Sequence, residues 1–124
     1  MNFYKRANPM ITTLPEIAVV FCEECLGWEG VQRQRSPEGI RYLTGAGSNE
    51  IFFCTDFDSV VAAVRSWLKA NALWVEMKDA PGSGEWIASY YVYREDRDCI
   101  GIGRDASHFN ALLWACIYAA RKLA

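Results

Sequence analysis

The sequence has little of what catalytic and metal centres are usually built from. One histidine, His108, stands among 124 residues. A Ser–His or Cys–His pair needs a nucleophile held against the imidazole, and nothing in the pattern sets one beside His108. That residue follows Ser107 at a helix start and reads as a capping-region histidine. The five cysteines are Cys22, Cys25, Cys54, Cys99 and Cys116. An odd number without an export signal reads as free, mostly buried thiols. Cys22-x-x-Cys25 lacks the second CxxC or His pair that a four-ligand zinc site requires, so two ordinary thiols are expected there. Basic charge is not in excess: 13 Lys and Arg against 15 Asp and Glu give a net charge of -2. That excludes a protein that coats long nucleic acid, which needs a basic surface. No long apolar run is present, since Glu23 and Glu24 interrupt the stretch that begins with Ile17–Phe21. A signal peptide or membrane span is therefore not expected, and the protein is read as soluble and cytoplasmic.

The carboxylates do not suggest acid–base chemistry. Glu23/Glu24 read as a solvated helix face, Asp56/Asp58 as a cap and first turn, and Glu95/Asp96/Asp98 as a hairpin loop. No cofactor motif is present.

What is abundant is apolar and aromatic. Hydrophobic residues make up 52% of the chain, and 5 Trp, 6 Tyr and 6 Phe stand among them. At this length one domain over 1–124 is expected, irregular over 1–12. Thr13-Leu14-Pro15-Glu16 reads as a capping box that opens a helix to about Leu26, stopped by Gly27. Leu14, Ile17, Phe21 and Cys25 form its apolar stripe. Trp28–Arg35 and Ile40–Thr44 read as a hairpin around Ser36-Pro37-Glu38-Gly39. Glu50–Cys54 is β-prone but also serves as a lead-in to a second helix. That helix is capped by Thr55 or Asp56, and its apolar face carries Phe57, Val60, Val61, Val64, Trp67 and Leu68. Leu73–Lys78, Glu85–Tyr93 and Cys99–Gly103 follow as three strands whose short turns force an antiparallel meander. A last helix runs from about Ser107 to Lys122, with Phe109, Leu112, Leu113, Cys116, Ile117 and Ala120 as its stripe. The reading is α+β: an antiparallel sheet packed by about three helices, in the order α-β-β-α-β-β-β-α.

Two segments suit an anionic ligand. Arg33, Arg35 and Arg41 fall on the first hairpin beside Trp28 and Tyr42, and arginines interleaved with aromatics suit stacking on a base and pairing with a phosphate. The competing reading is an exposed hairpin with snorkelling side chains. Gly101-Ile102-Gly103-Arg104-Asp105-Ala106-Ser107-His108 takes a glycine strand straight into a helix N-terminus. Free N–H groups, the dipole and the Arg104 fork favour an anion there. Its competing reading is that the glycines let the helix pack closely on the strand while Asp105 or Ser107 caps it. Tyr91, on the clearest strand, joins Trp28, Arg33, Arg35, Arg41, Gly103, Arg104, Ser107 and His108 as candidate ligand-binding residues.

Cys25-Leu26-Gly27-Trp28 at the end of the first helix, the Thr55-Asp56 helix start, and the strand feeding Asp105-Ala106-Ser107 resemble the small phage and prophage proteins of the ABA-sandwich family over about residues 14–122. The resemblance implies a phage accessory protein in a host bacterial cytoplasm, with no catalytic residues to transfer. The expected function is non-enzymatic: binding and sequestering a small anionic, nucleotide-like ligand, such as a signal of host immunity, in a homo-oligomer. A protein-binding inhibitor or adaptor that uses the Glu85–Tyr93 tyrosines is the alternative. A small nucleotide hydrolase is the third.

Overall fold

Helix periodicity, then β alternation, then helix periodicity dictate where this chain buries its apolar groups, and the computed structural model follows that order. It describes residues 10–36, 39–43, 51–53, 57–81 and 86–124, with side chains over 17–32, 58–78 and 87–124. The elements are α1 (Met10–Glu24), β1 (Gln32–Ser36), β2 (Gly39–Leu43), β3 (Ile51–Phe53), α2 (Phe57–Ala70), β4 (Trp74–Pro81), β5 (Trp86–Tyr93), β6 (Cys99–Asp105) and α3 (His108–Leu123). The class is α+β, with α3 packed on an antiparallel sheet of order β4-β5-β6. A second antiparallel sheet, β1-β2-β3, touches α1 and α2.

The described strands form two sheets where the sequence reading expects one, and three details differ as well. Ile51–Phe53 is a strand in its own right, paired with β2 through Arg41↔Phe53 and Leu43↔Ile51. Residues 28–31 precede β1 instead of belonging to it. Helix α1 already includes Met10, so Thr13-Leu14-Pro15-Glu16 is interior rather than a cap. A proline has no N–H to give the helix ladder and its ring crowds the carbonyl four residues back, yet the helix continues upstream of Pro15. The proposed caps Thr55 and Asp56, like Cys54, lie outside the described residues.

The ends of the first two helices show two solutions to one problem, the orphan carbonyls of a last turn. After α1 the chain turns at Gly27, whose φ is 72°, and Trp28 N–H donates to the Cys22 carbonyl at 3.0 Å. After α2 the same left-handed position falls on Ala72, at φ 56°. Ala72 N–H donates to Lys69 O and Leu73 N–H to Leu68 O, the paired bonds of a Schellman turn. An alanine there carries a Cβ penalty that glycine avoids. Ala72→Gly is therefore expected to raise stability by about 0.5–1 kcal/mol, read as a shift in the urea midpoint at constant m-value.

The core gathers around α3. Ile17, Ala18, Phe21 and Cys22 of α1 and Val60, Val64, Trp67 and Leu68 of α2 meet Leu112, Leu113, Cys116 and Ile117. On α1 the buried stripe runs through Cys22, while Cys25 is only half-buried. Arg121 Nε donates to Glu24 Oε1 at 2.7 Å and joins the C-terminal ends of α1 and α3.

Helix α3 has a second buried face, Ala111, Ala115 and Ala119, which lies on β6. A Cβ on Gly101 would stand 2.2 Å from the Ala115 carbonyl oxygen, and one on Gly103 would stand 2.0 Å from that of Ala111. Helix and strand backbones are thus in direct contact, which only glycine permits. A bulge between Val92 and Tyr93 adds to this: Val92 pairs with Gly101 and Tyr93 with Cys99, so Ile100 is the extra residue. Both Ile100 and Gly101 are buried as a result.

Candidate functional site: an aromatic and cationic sheet face

The alternation of β5 separates its two faces. Ala88, Tyr90 and Val92 are buried toward α3. Ile87, Ser89, Tyr91 and Tyr93 belong to the outer face, which no helix covers among the described residues. The register sets the neighbours: Trp74 opposite Tyr93, Glu76 opposite Tyr91 opposite Ile102, and Lys78 opposite Ser89 opposite Arg104.

These rows bring aromatics and cations together. Trp74 and Tyr93 stack at 5.6 Å between centroids, 22° from parallel. Tyr91 and Tyr93 follow at 6.5 Å and 19°. Lys78 Nζ lies 5.0 Å from the Tyr91 centroid, and Arg104 Cζ 5.9 Å from it. Arg104 Nη2 also donates to the Tyr91 hydroxyl at 3.1 Å. Both long side chains lean over Ser89, which is small and stands between them, so Ser89 is buried on an otherwise open face. Among the described residues neither Lys78 nor Arg104 is held by a carboxylate. Burial among its neighbours, then the Glu76 charge, holds the Tyr93 phenol above its ordinary value. Cation–π contact supports Tyr91 in this position.

The other candidate residues are placed differently. Trp28 is half-buried and packs against the core just past the α1 turn, so it is a packing residue rather than a surface stacking platform. Gly103 lies beneath the Ala111 and Ala115 backbone, facing packing and not a ligand. The turn into α3 is filled from within. Ser107 N–H donates to Asp105 Oδ1 at 2.9 Å, and Asn110 N–H donates to Ser107 Oγ at 3.3 Å, so Ser107 is the N-cap. Two of the donors that an anion would need are already used. His108 Nδ1 stands 2.8 Å from the Tyr90 hydroxyl, and the two rings meet edge to face. One turn into α3, Asn110 is buried and its Oδ1 has no hydrogen-bond partner among the described residues.

Arg33, Arg35 and Arg41 are described only by their backbones. Arg33 pairs with Tyr42, Arg35 with Ile40 and Gln34 with Arg41. Directly opposed residues share a face, so the register sets Arg41 on the other face of the ladder from Arg33 and Arg35. Conversely, sequence reading missed Lys78 and Trp74. The signal that would have found them is the pairing register: with Pro81 paired to Trp86, Lys78 falls opposite Ser89, two residues from Tyr91.

Among the described cysteines Cys22 and Cys116 are buried, Cys25 is half-buried and Cys99 is exposed. Burial pushes both Cys22 and Cys116 up to about 12. Cys25 is raised further, chiefly by burial and then by Cys116. A thiol held protonated is a poor nucleophile. Iodoacetamide applied to the folded protein at neutral pH is expected to modify exposed Cys99 and spare Cys22 and Cys116, as peptide mass spectrometry would show. Unfolding should expose all three. Among the described residues, no group of three or more His, Cys, Asp or Glu is placed to hold a metal ion, and no helix is long and apolar enough to cross a membrane.

No protein-family model, curated protein or solved structure matches the chain.

Proposed function

We propose that this protein is a non-enzymatic binding protein, of phage-accessory type, whose ligand face is the outer surface of β4, β5 and β6. The ligand class is a small aromatic anion, with a nucleotide as the best fit. One observation carries this reading: Tyr91 is flanked by Lys78 and Arg104 and continues into a stacked Tyr93–Trp74 pair. A flat base stacks on the aromatic row, and its phosphate takes the Lys78 ammonium and the Arg104 fork. Glu76 on the same face disfavours a highly charged polyanion and suits a ligand with one or two phosphates.

Exposed Ile102 and Trp74 on the same face favour a second reading, docking of a protein partner. Thermal melting with a panel of linear and cyclic nucleotides separates the two. A bound nucleotide at 100 times its Kd stabilises by about 2.7 kcal/mol and raises the melting temperature by about 10 °C. No shift with any nucleotide would end the nucleotide reading and leave the protein-docking one.

A further inference from the structure

Strand β4 is the edge of its sheet, with no strand on its outer side among the described residues. It is eight residues long, and it carries two of the exposed large apolar side chains, Trp74 at 37% and Met77 at 49%. Long edges of this kind are normally shortened, covered or blunted by charge. Here the charges flanking Met77 are of opposite sign: Glu76 before it and Lys78 after it, both exposed. Helix α3 packs over β6 and β5 and α2 touches β4, but among the described residues no strand lies along the β4 edge.

We propose that β4 pairs antiparallel with β4 of a second copy, about a two-fold axis at Met77. Opposed residues in a ladder share a face, so only registers centred on a residue keep both outer faces on one side. Centring on Glu76 sets Glu76 against itself, and centring on Lys78 sets Lys78 against itself. Both oppose like charges. Centring on Met77 sets Glu76 against the partner's Lys78, and Lys78 against the partner's Glu76, and it buries the exposed Met77 against its own copy. Centring on Val75 opposes no like charges but pairs only Trp74 through Glu76. The register centred on the self-complementary Glu76-Met77-Lys78 run, which pairs Trp74 through Ala80, is thus favoured by both charge and ladder length. The product is a continuous six-stranded sheet with both aromatic faces on the same side. This pairing does not depend on any ligand.

Sedimentation velocity and native mass spectrometry over a concentration series, without nucleotide, test it. The wild-type chain is expected to be a dimer in the micromolar range. Glu76→Lys alone and Lys78→Glu alone each place like charges opposite one another, and each is expected to weaken association at least about tenfold. The double exchange, Glu76→Lys with Lys78→Glu, restores the pairing and the dimer. Circular dichroism checks that each variant is folded, as expected for exposed positions. A wild-type monomer at about 100 µM would overturn the proposal. So would a dimer indifferent to the single reversals, or a double variant as weak as the single ones.

Discussion

Gly103→Ala is expected to destabilise the protein by about 3 kcal/mol, the upper end of what overpacking costs. The added methyl carbon would sit 2.0 Å from the Ala111 carbonyl oxygen and 2.5 Å from the Ala115 nitrogen. Both obstacles are helix backbone, which cannot swing aside as a side chain does. Helix α3 must lift from β6, and the buried faces of Ala111, Ala115 and Ala119 lose contact with the sheet. A domain of this size has a total stability of about 5–15 kcal/mol, so the loss is a large share of it. The melting temperature should fall by roughly 10 °C, and urea unfolding should show the same loss. Two controls sharpen the result. Ile102→Ala changes the adjacent residue on the exposed face and should cost less than about 1 kcal/mol. Adding Ala111→Gly to Gly103→Ala should not rescue it, because the clash is with the Ala111 carbonyl and not with its methyl. A Gly103→Ala variant as stable as the wild type would mean that α3 does not seat on β6 this closely.

Tyr91→Ala is expected to weaken nucleotide binding about a hundredfold while leaving the fold intact. Base–aromatic stacking alone contributes about 1–3 kcal/mol. Truncation also removes the ring over which Lys78 and Arg104 rest and the hydroxyl that fixes the Arg104 guanidinium. The two cations then regain rotamer freedom that binding must take away again. A hundredfold loss corresponds to about 2.7 kcal/mol, within that sum. Tyr91→Phe keeps the stacking ring and loses only the hydroxyl bond, so it should cost only several-fold. Isothermal titration of the three proteins gives the comparison. Equal affinities in all three would place the ligand elsewhere on the molecule.

The meander was legible in the sequence because its signals were local. Glu85–Tyr93 alternates cleanly, and the short Glu95–Asp98 turn leaves β6 no option but antiparallel pairing. The α2 and α3 stripes were legible for the same reason, since Val60, Val64, Trp67, Leu113 and Ile117 are large and periodic. The second face of α3 was not read, because small residues give a weak hydrophobic signal. Ala111, Ala115 and Ala119 at four-residue spacing match Gly101 and Gly103 two apart; the glycines alone suggest a close helix–strand contact, and the alanine row identifies the helix face that makes it. The same contact explains why the Gly101–Ser107 turn looked like an anion cradle. Its glycines serve packing, and its polar residues satisfy the helix N-terminus. The site itself lay half in view. Tyr91 and Arg104 were picked out singly, but their meeting depends on a cross-strand register that a single sequence leaves open. Lys78, contributed by the neighbouring strand, was invisible for that reason. The arginine hairpin shows the converse: Arg33, Arg35 and Arg41 are close in sequence, yet the ladder divides them between two faces.

The central claim is that the outer face of β4-β5-β6 binds a small aromatic anion. Nitrogen-15 NMR of the amides during titration with the best nucleotide of the melting panel tests it most directly, since it separates this face from the Arg33–Arg41 hairpin. The account predicts saturable shifts centred on Lys78, Tyr91 and Arg104, with the amides of Arg33, Arg35 and Arg41 unmoved. Shifts centred on the Arg33–Arg41 hairpin, or none anywhere at millimolar nucleotide, would contradict it.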